Sequence, residues 1–231
     1  MKIIFLTAIT YLFYLFSKWC YKKTGNPLCG PLLLTPVLLI AFITIFHISA
    51  GSYLQSSKLL THLLGPATIA FAVPIYKHRE LLKKYYLIIL VSVTTGTIVA
   101  IMSSYFLSLL INLQSDFIIS IIPRSITTPI AIEVSEEIGG LPTLTTVFVI
   151  ITGIIGGIIG PFAIKLLALK SSIAKGLALG MGAHGVGTAK AMEIGEQEAT
   201  FSTLAMILAA WITVVWGSSL IPLLMNVVSS S

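Results

Sequence analysis

The stretch GVGTAKAMEIGEQE, Gly185–Glu198, decides how this chain is read, because the chain contains a second version of it. Laid over SITTPIAIEVSEEI, Ser125–Ile138, it matches Thr188 to Thr128, Ala191 to Ala131, Glu193 to Glu133 and Glu196 to Glu136. Ordinary residue frequencies predict about one identity over such a length. Farther on, Thr143-Leu144 meets Thr203-Leu204, and Arg124 falls opposite His184. Each copy belongs to a longer segment, Asn112–Gly140 or Ser171–Thr200, that starts apolar and turns polar, with Gly, Ser and Thr in its middle and Pro123 and Pro129 in the first. Six of the eight acidic residues of the chain lie in the second halves of these segments: Glu133, Glu136, Glu137, Glu193, Glu196 and Glu198. Repeats built around interrupted hydrophobic segments point to a transporter-type binding site.

The rest of the sequence says what surrounds that repeat. Of 231 residues, 56% are hydrophobic and 10% charged, with a mean hydropathy of +1.01. A soluble domain carries about 25% charged residues, so this chain lacks the polar surface to coat a globule in water. A cytosolic enzyme, a nucleic-acid-binding module and a disordered regulator are disfavoured together. The net charge of +6 is no nucleic-acid footprint, since its 14 basic residues mostly sit between apolar runs. The expected setting is the cell membrane, with the lipid bilayer as the first partner. Cys20 and Cys29 form no disulfide framework and no metal-ligand pattern. Lys2 before an apolar run resembles a signal peptide, but no small-x-small cleavage site follows, so this run is read as a retained span.

About 20 apolar residues cross the hydrocarbon core as a helix. Six candidates meet or approach that length: Ile3–Ser17, Leu32–Ile48, Leu59–Tyr76 (with Pro66 and Pro74), Tyr85–Ile111, Leu141–Ile164 and Phe201–Val228. The fold expected is an all-α polytopic membrane protein, one domain over residues 1–231. Residues 1–111 supply four spans, 112–170 one repeat and 171–231 the other. The basic loop Lys77, Arg79, Lys83 and Lys84 should be cytoplasmic. If Asn112–Gly140 crossed fully, Lys165, Lys170 and Lys175 would land outside; if it dips in and returns, they land inside. Ser171–Thr200 then enters from the opposite face. An inverted repeat is favoured over a parallel one.

Several residues could carry chemistry. Glu133, Glu136 and Glu137 share a face if Pro129 starts a helix, and ionisable groups at membrane depth are costly enough to mark function. Glu133 and Glu193, repeat-matched and one turn deeper than their neighbours, are the candidates for proton coupling or gating; the other glutamates read as solvated. Arg124 follows an apolar run, and its planar fork suits a carboxylate, or else a nearby glutamate or helix carbonyl. A helix starting near Thr127 and Thr128 offers free N–H groups to an anion, and the glycines of Gly182-Ala-His184-Gly-Val-Gly187-Thr188 let backbone approach a ligand. The candidate substrate-binding set is Arg124, Thr127, Thr128, His184, Gly185, Gly187, Thr188 and Lys190. His184 could relay a proton or serve as a structural hydrogen-bonding group. Lys190 could pair with Glu193 or meet an anion. No nucleophile–base pattern, zinc motif or phosphate loop is present, so neither enzymatic activity nor a metal or cofactor is expected.

The stretches Leu64–Tyr76, Arg124–Glu133 and Ala183–Gly195 resemble the LrgB/CidB family of membrane proteins, and the resemblance runs from about Leu28 to the last span. It implies two kinds of function. Bacterial members are described as antiholin-like, modulating murein hydrolase export and autolysis with a small LrgA/CidA membrane partner. Related plastidial proteins carry glycolate and glycerate, and bacterial members are associated with pyruvate uptake. Two expectations follow: a transporter or exchanger of small monocarboxylates, or an antiholin-like regulator acting through a partner. Self-association into a homo-oligomer is left open. The dipping arrangement predicts that a reporter fused after Ser231 reads as extracytoplasmic; a cytoplasmic reporter would sink it.

Overall fold

Apolar residues without period-2 alternation, broken by Pro, Gly and short polar turns, give helices, and a computed structural model of the chain contains no strand among the described residues. Those residues are 2–26, 29–63, 66, 69–70, 72–217 and 219. They form α1 (Lys2–Thr24), α2 (Pro31–Ile45), α3 (Ala50–Ser56), α4 (Lys58–His62), α5 (Ala72–Lys77), α6 (Arg79–Lys84), α7 (Tyr86–Leu110), α8 (Ser115–Ile121), a 3-10 turn (Ile122–Ser125), α9 (Thr128–Glu137), α10 (Pro142–Leu166), α11 (Ser172–Ile194) and α12 (Glu196–Gly217). Among the described residues, four stretches are long and apolar enough to cross a membrane: Ile3–Thr24, Tyr86–Leu110, Pro142–Leu166 and Glu196–Trp216.

These account for four of the six expected spans. The expected span Leu32–Ile48 is the shorter apolar helix α2, 15 residues long. Leu59–Tyr76 falls partly outside the described residues, as does the end of Phe201–Val228. Two boundaries differ from the sequence reading for electrostatic reasons. α1 runs on through Lys22 and Lys23, whose charges suit a helix C-terminus, and α12 starts at Glu196 because Glu196 and Glu198 suit a helix N-terminus.

The chain divides into two units, Met1–Val73 and Pro74–Ser231. In the first, α1 and α2 are joined by buried hydroxyls: Thr35 donates to Ser17 Oγ at 3.0 Å, and Ser17 donates to the Phe13 carbonyl at 2.7 Å. Thr10 Oγ1 meets the Tyr53 hydroxyl at 2.9 Å, tying α1 to α3.

The second unit is built around α12. One core joins Ile89 and Val93 of α7, Ile126 and Ala131 beside and within α9, Val149 of α10, Leu177 of α11, and Phe201, Ala205 and Ala209 of α12. The course of α11 sets this arrangement. Gly176 packs on the Glu198 carbonyl and Phe201 Cβ, and Gly180 on the Ser202 carbonyl and Ala205 Cβ, so the first half of α11 climbs parallel to α12. A helix cannot run parallel to its immediate successor unless the chain turns back between them. It does so at His184, whose φ of 39° and ψ of −121° break the helix. Gly187 then lies against the Leu179 carbonyl, so close that any Cβ would collide with it. α11 is therefore two arms folded on one another, with Ser172 and Ile194 at the open end. Backbone in the positive-φ region costs a non-glycine residue of order 1–3 kcal/mol; the burial of Ala183 and His184 and the contact of His184 Nε2 with the Val149 carbonyl hold it there.

α10 runs antiparallel to the first arm: Gly153 faces the His184 ring, Gly156 faces Gly182 and Ala183, and Gly160 faces Leu179. Small residues at these positions let the helices approach closely, as membrane helices do. The test uses two glycines on one arm. Gly180→Ala puts a methyl against the Ser202 backbone and should cost about 1–3 kcal/mol by overpacking. Gly182→Ala meets nothing within 4 Å and should stay within roughly 0.5 kcal/mol. Thermal unfolding of the two detergent-solubilised variants measures the difference; equal midpoints would contradict this packing.

Candidate functional site

The segment ahead of α10 also leaves and returns to one place. Ser120, near the end of α8, accepts the Leu141 N–H on its Oγ at 2.8 Å. Thr145 Oγ1 lies 3.0 Å from the Ser120 carbonyl and 2.6 Å from Ser135 Oγ of α9. Ser120, Ser135 and Thr145 are buried, so their hydroxyls pair with one another and with backbone, as groups out of reach of water must. Between Ser120 and Ser135 the chain extends as the 3-10 turn, reverses near Thr127, and comes back as α9. Thr127 takes an extended conformation and its carbonyl accepts the Ala131 N–H at 3.0 Å; Pro129 sits in the first turn, where its missing N–H costs nothing.

Arg124 lies at the far end of this loop. Its Nε–H donates to Ser104 Oγ of α7 at 2.8 Å, and Nη1 reaches Thr152 Oγ1 of α10 at 3.4 Å. Thr152 is about two turns, roughly 10 Å, along α10 from Thr145. The His184 tip of α11 touches α10 at the same turn, with Nε2 3.0 Å from the Val149 carbonyl and the ring against Gly153. Two backbone reversals thus converge on residues 149–153 of α10. Beside them runs a groove of about 520 Å³, lined by Arg124 and Thr152 and otherwise by apolar or small side chains, among them Phe148, Ile155, Gly156 and Leu179.

The other expected site residues fall into two groups. Thr127 and Thr128 are half-buried where the first loop reverses, and Gly185 is exposed immediately after the break in α11. Gly187 and Thr188 are buried on the returning arm, where Thr188 donates to the His184 carbonyl at 3.2 Å and meets Ser202 Oγ at 3.0 Å. Thr188 therefore ties the arm to α12. Glu133 is exposed on α9. Lys190 and Glu193 lie farther down the returning arm of α11, with Lys190 Nζ 2.9 Å from Glu193 Oε1. Near the open end of the two arms, Glu196 pairs with Lys77 and stands 3.5 Å from His78 Nε2, joining the basic loop to this end of α11. Glu198, read from sequence as solvated, is 8% exposed, its carboxylate lying over Gly195.

Sequence reasoning missed Ser104 and Thr152. Single hydroxyl residues are ordinary in membrane helices, and only the approach of Arg124 distinguishes these two. Their positions on α7 and α10 carry no local signal. Among the described residues no three His, Cys, Asp or Glu side chains gather as metal ligands.

A family model, the LrgB-like family, matches residues 10–225. Holin-like protein CidB of Staphylococcus aureus (strain Mu50 / ATCC 700699) is 38% identical over 216 residues, covering 94% of this chain and 93% of its own. Holin-like protein CidB of Staphylococcus epidermidis (strain ATCC 12228 / FDA PCI 1200) is 35% identical, covering 97% and 96%. Uncharacterized protein YwbG of Bacillus subtilis (strain 168) is 42% identical, covering 89% and 91%. No solved structure matches. With a family model spanning nearly all of its length and relatives aligned end to end, this chain belongs to the LrgB-like family of membrane proteins.

Proposed function

We propose that this protein is a secondary transporter of small monocarboxylates in the plasma membrane, with its site where the two backbone reversals meet. The observation that carries the reading is Arg124: a guanidinium in largely apolar surroundings, held by two hydroxyls, with no carboxylate of the described residues in ion-pair distance. An ion so placed is costly to bury without a counter-charge, and an anionic substrate supplies one. The start of α9 adds backbone N–H groups and a positive dipole end.

The topology proposed with it is six crossings and two re-entrant hairpins related as an inverted repeat. Supporting this, the first loop closes at the Thr145 end of α10, whereas the second opens toward the other end, where Ile164 packs with Leu179 and Ala191. Lys77 and Glu196 place the basic loop beside the open end of α11, the end that the lysine distribution assigns to the cytoplasm. Repeat-matched residues occupy like places: Thr128 and Thr188 follow a reversal, and Glu133 and Glu193 stand on the returning arms. In this reading Thr127, Thr128, Gly185, Gly187, Thr188 and Lys190 line or support the substrate path, and Glu133, Glu193 or His184 couples a proton or gates.

The staphylococcal relatives are named holin-like, which favours a second reading; the family resemblance would make it a regulator that works with an LrgA-like partner. A regulator needs no unneutralised arginine between two broken helices, and transport explains it. Uptake of labelled pyruvate, glycolate and lactate into proteoliposomes, with and without such a partner, separates the two. Transport predicts saturable flux, lost with Arg124→Ala and cut about tenfold or more with Arg124→Lys, which keeps charge without the fork. No flux in either arrangement, with altered membrane leakiness, would establish the regulator instead.

A further inference from the structure

The way Arg124 is held says which edge of it a ligand can use. A guanidinium has five N–H donors in a plane and can bind a carboxylate through two of its edges: the side edge, Nε with one terminal nitrogen, or the end edge, both terminal nitrogens. Ser104 is 3% exposed, and its hydroxyl gives its own proton to the Ala100 carbonyl at 2.7 Å. It can only accept from Arg124, and it takes the Nε–H at 2.8 Å. That closes the side edge. Thr152 takes one N–H of Nη1 at 3.4 Å and sets the plane of the fork from the opposite helix. Among the described residues, one N–H on Nη1 and both on Nη2 have no hydrogen-bond partner, and Arg124 lines the groove together with Ile121, Phe148 and Ile155.

We infer that Ser104 and Thr152 are positioning residues for the anion site: Ser104 on α7 and Thr152 on α10 fix the Arg124 plane so that its end edge receives a planar carboxylate. This rests on the monocarboxylate reading and extends it to two residues outside the matched stretches Ser125–Ile138 and Gly185–Glu198. A fork freed from Ser104 still carries its charge, but it spreads over more orientations, and affinity falls while the translocation machinery stays intact.

The test uses the full chain in proteoliposomes with Arg79→Lys, which leaves Arg124 the only arginine. Modification of Arg124 by phenylglyoxal is followed by mass spectrometry against increasing pyruvate, and flux is measured in parallel. Ser104→Ala should raise the half-protecting concentration and the KM about tenfold, the usual order for losing a hydrogen bond to a charged group. Maximal flux should change little, and Ser104→Thr, which keeps the hydroxyl, should restore the parent value. Thr152→Val should shift protection in the same direction by less, and it decides the matter if Ser104→Ala does not fold. Unchanged protection in both variants, or lower maximal flux at unchanged half-protection, would overturn the positioning role. If pyruvate, glycolate and lactate all fail to protect the parent, the monocarboxylate reading fails first and this inference falls with it.

Discussion

The reversal of α11 at His184 is the constraint on which the second unit depends. A helix broken at membrane depth exposes backbone N–H and C=O groups that lipid cannot satisfy. Here close packing supports the two arms on either side of the break, although Gly185 itself is exposed. Gly187 brings the returning arm against Leu179, Gly176 and Gly180 press the first arm onto α12, and Gly156 presses it onto α10. His184 itself closes on the Val149 carbonyl. Larger residues at those glycines would separate the arms from their supports.

The loop around Arg124 reaches a comparable result by different means. It has no stripe of close-packed glycines; buried hydroxyls at its base, Ser120, Ser135 and Thr145, do the closing, and Pro129 starts the returning helix. Both constructions deliver a polar tip to one turn of α10, Arg124 from one side and His184 from the other. Two segments of partly matching sequence thus both reverse beside α10 while differing in the chemistry of their tips. One tip carries a guanidinium, and the other an imidazole that meets the Val149 carbonyl.

Much of this was legible in the sequence, and the limits are physical. Composition placed the chain in lipid, and the repeated mixture of apolar, small and acidic residues located both interrupted segments and Arg124. The glycines around His184 were read as letting backbone approach a ligand; the structure puts the break in α11 among them, at the histidine. Ser104, Thr152 and the serine–threonine closure at Ser120 could not be found, because hydroxyls in apolar helices gain meaning only from what folds onto them. Glu198, read as solvated, is 8% exposed with its carboxylate over Gly195, a cover that depends on how the chain folds. Placement of Glu193 beside Lys190 agrees with one of the two roles considered for that lysine.

The central claim is that the two reversals enter from opposite faces of the membrane and meet at α10. With Cys20 and Cys29 replaced by serine, single cysteines at the exposed positions Glu137 and Gln197 mark the bases of the two loops. Labelling with a membrane-impermeant maleimide, in right-side-out and inverted vesicles, reads their sides directly. The account predicts that Glu137→Cys reacts from outside and Gln197→Cys from the cytoplasm. Reaction of both from the same face would contradict it.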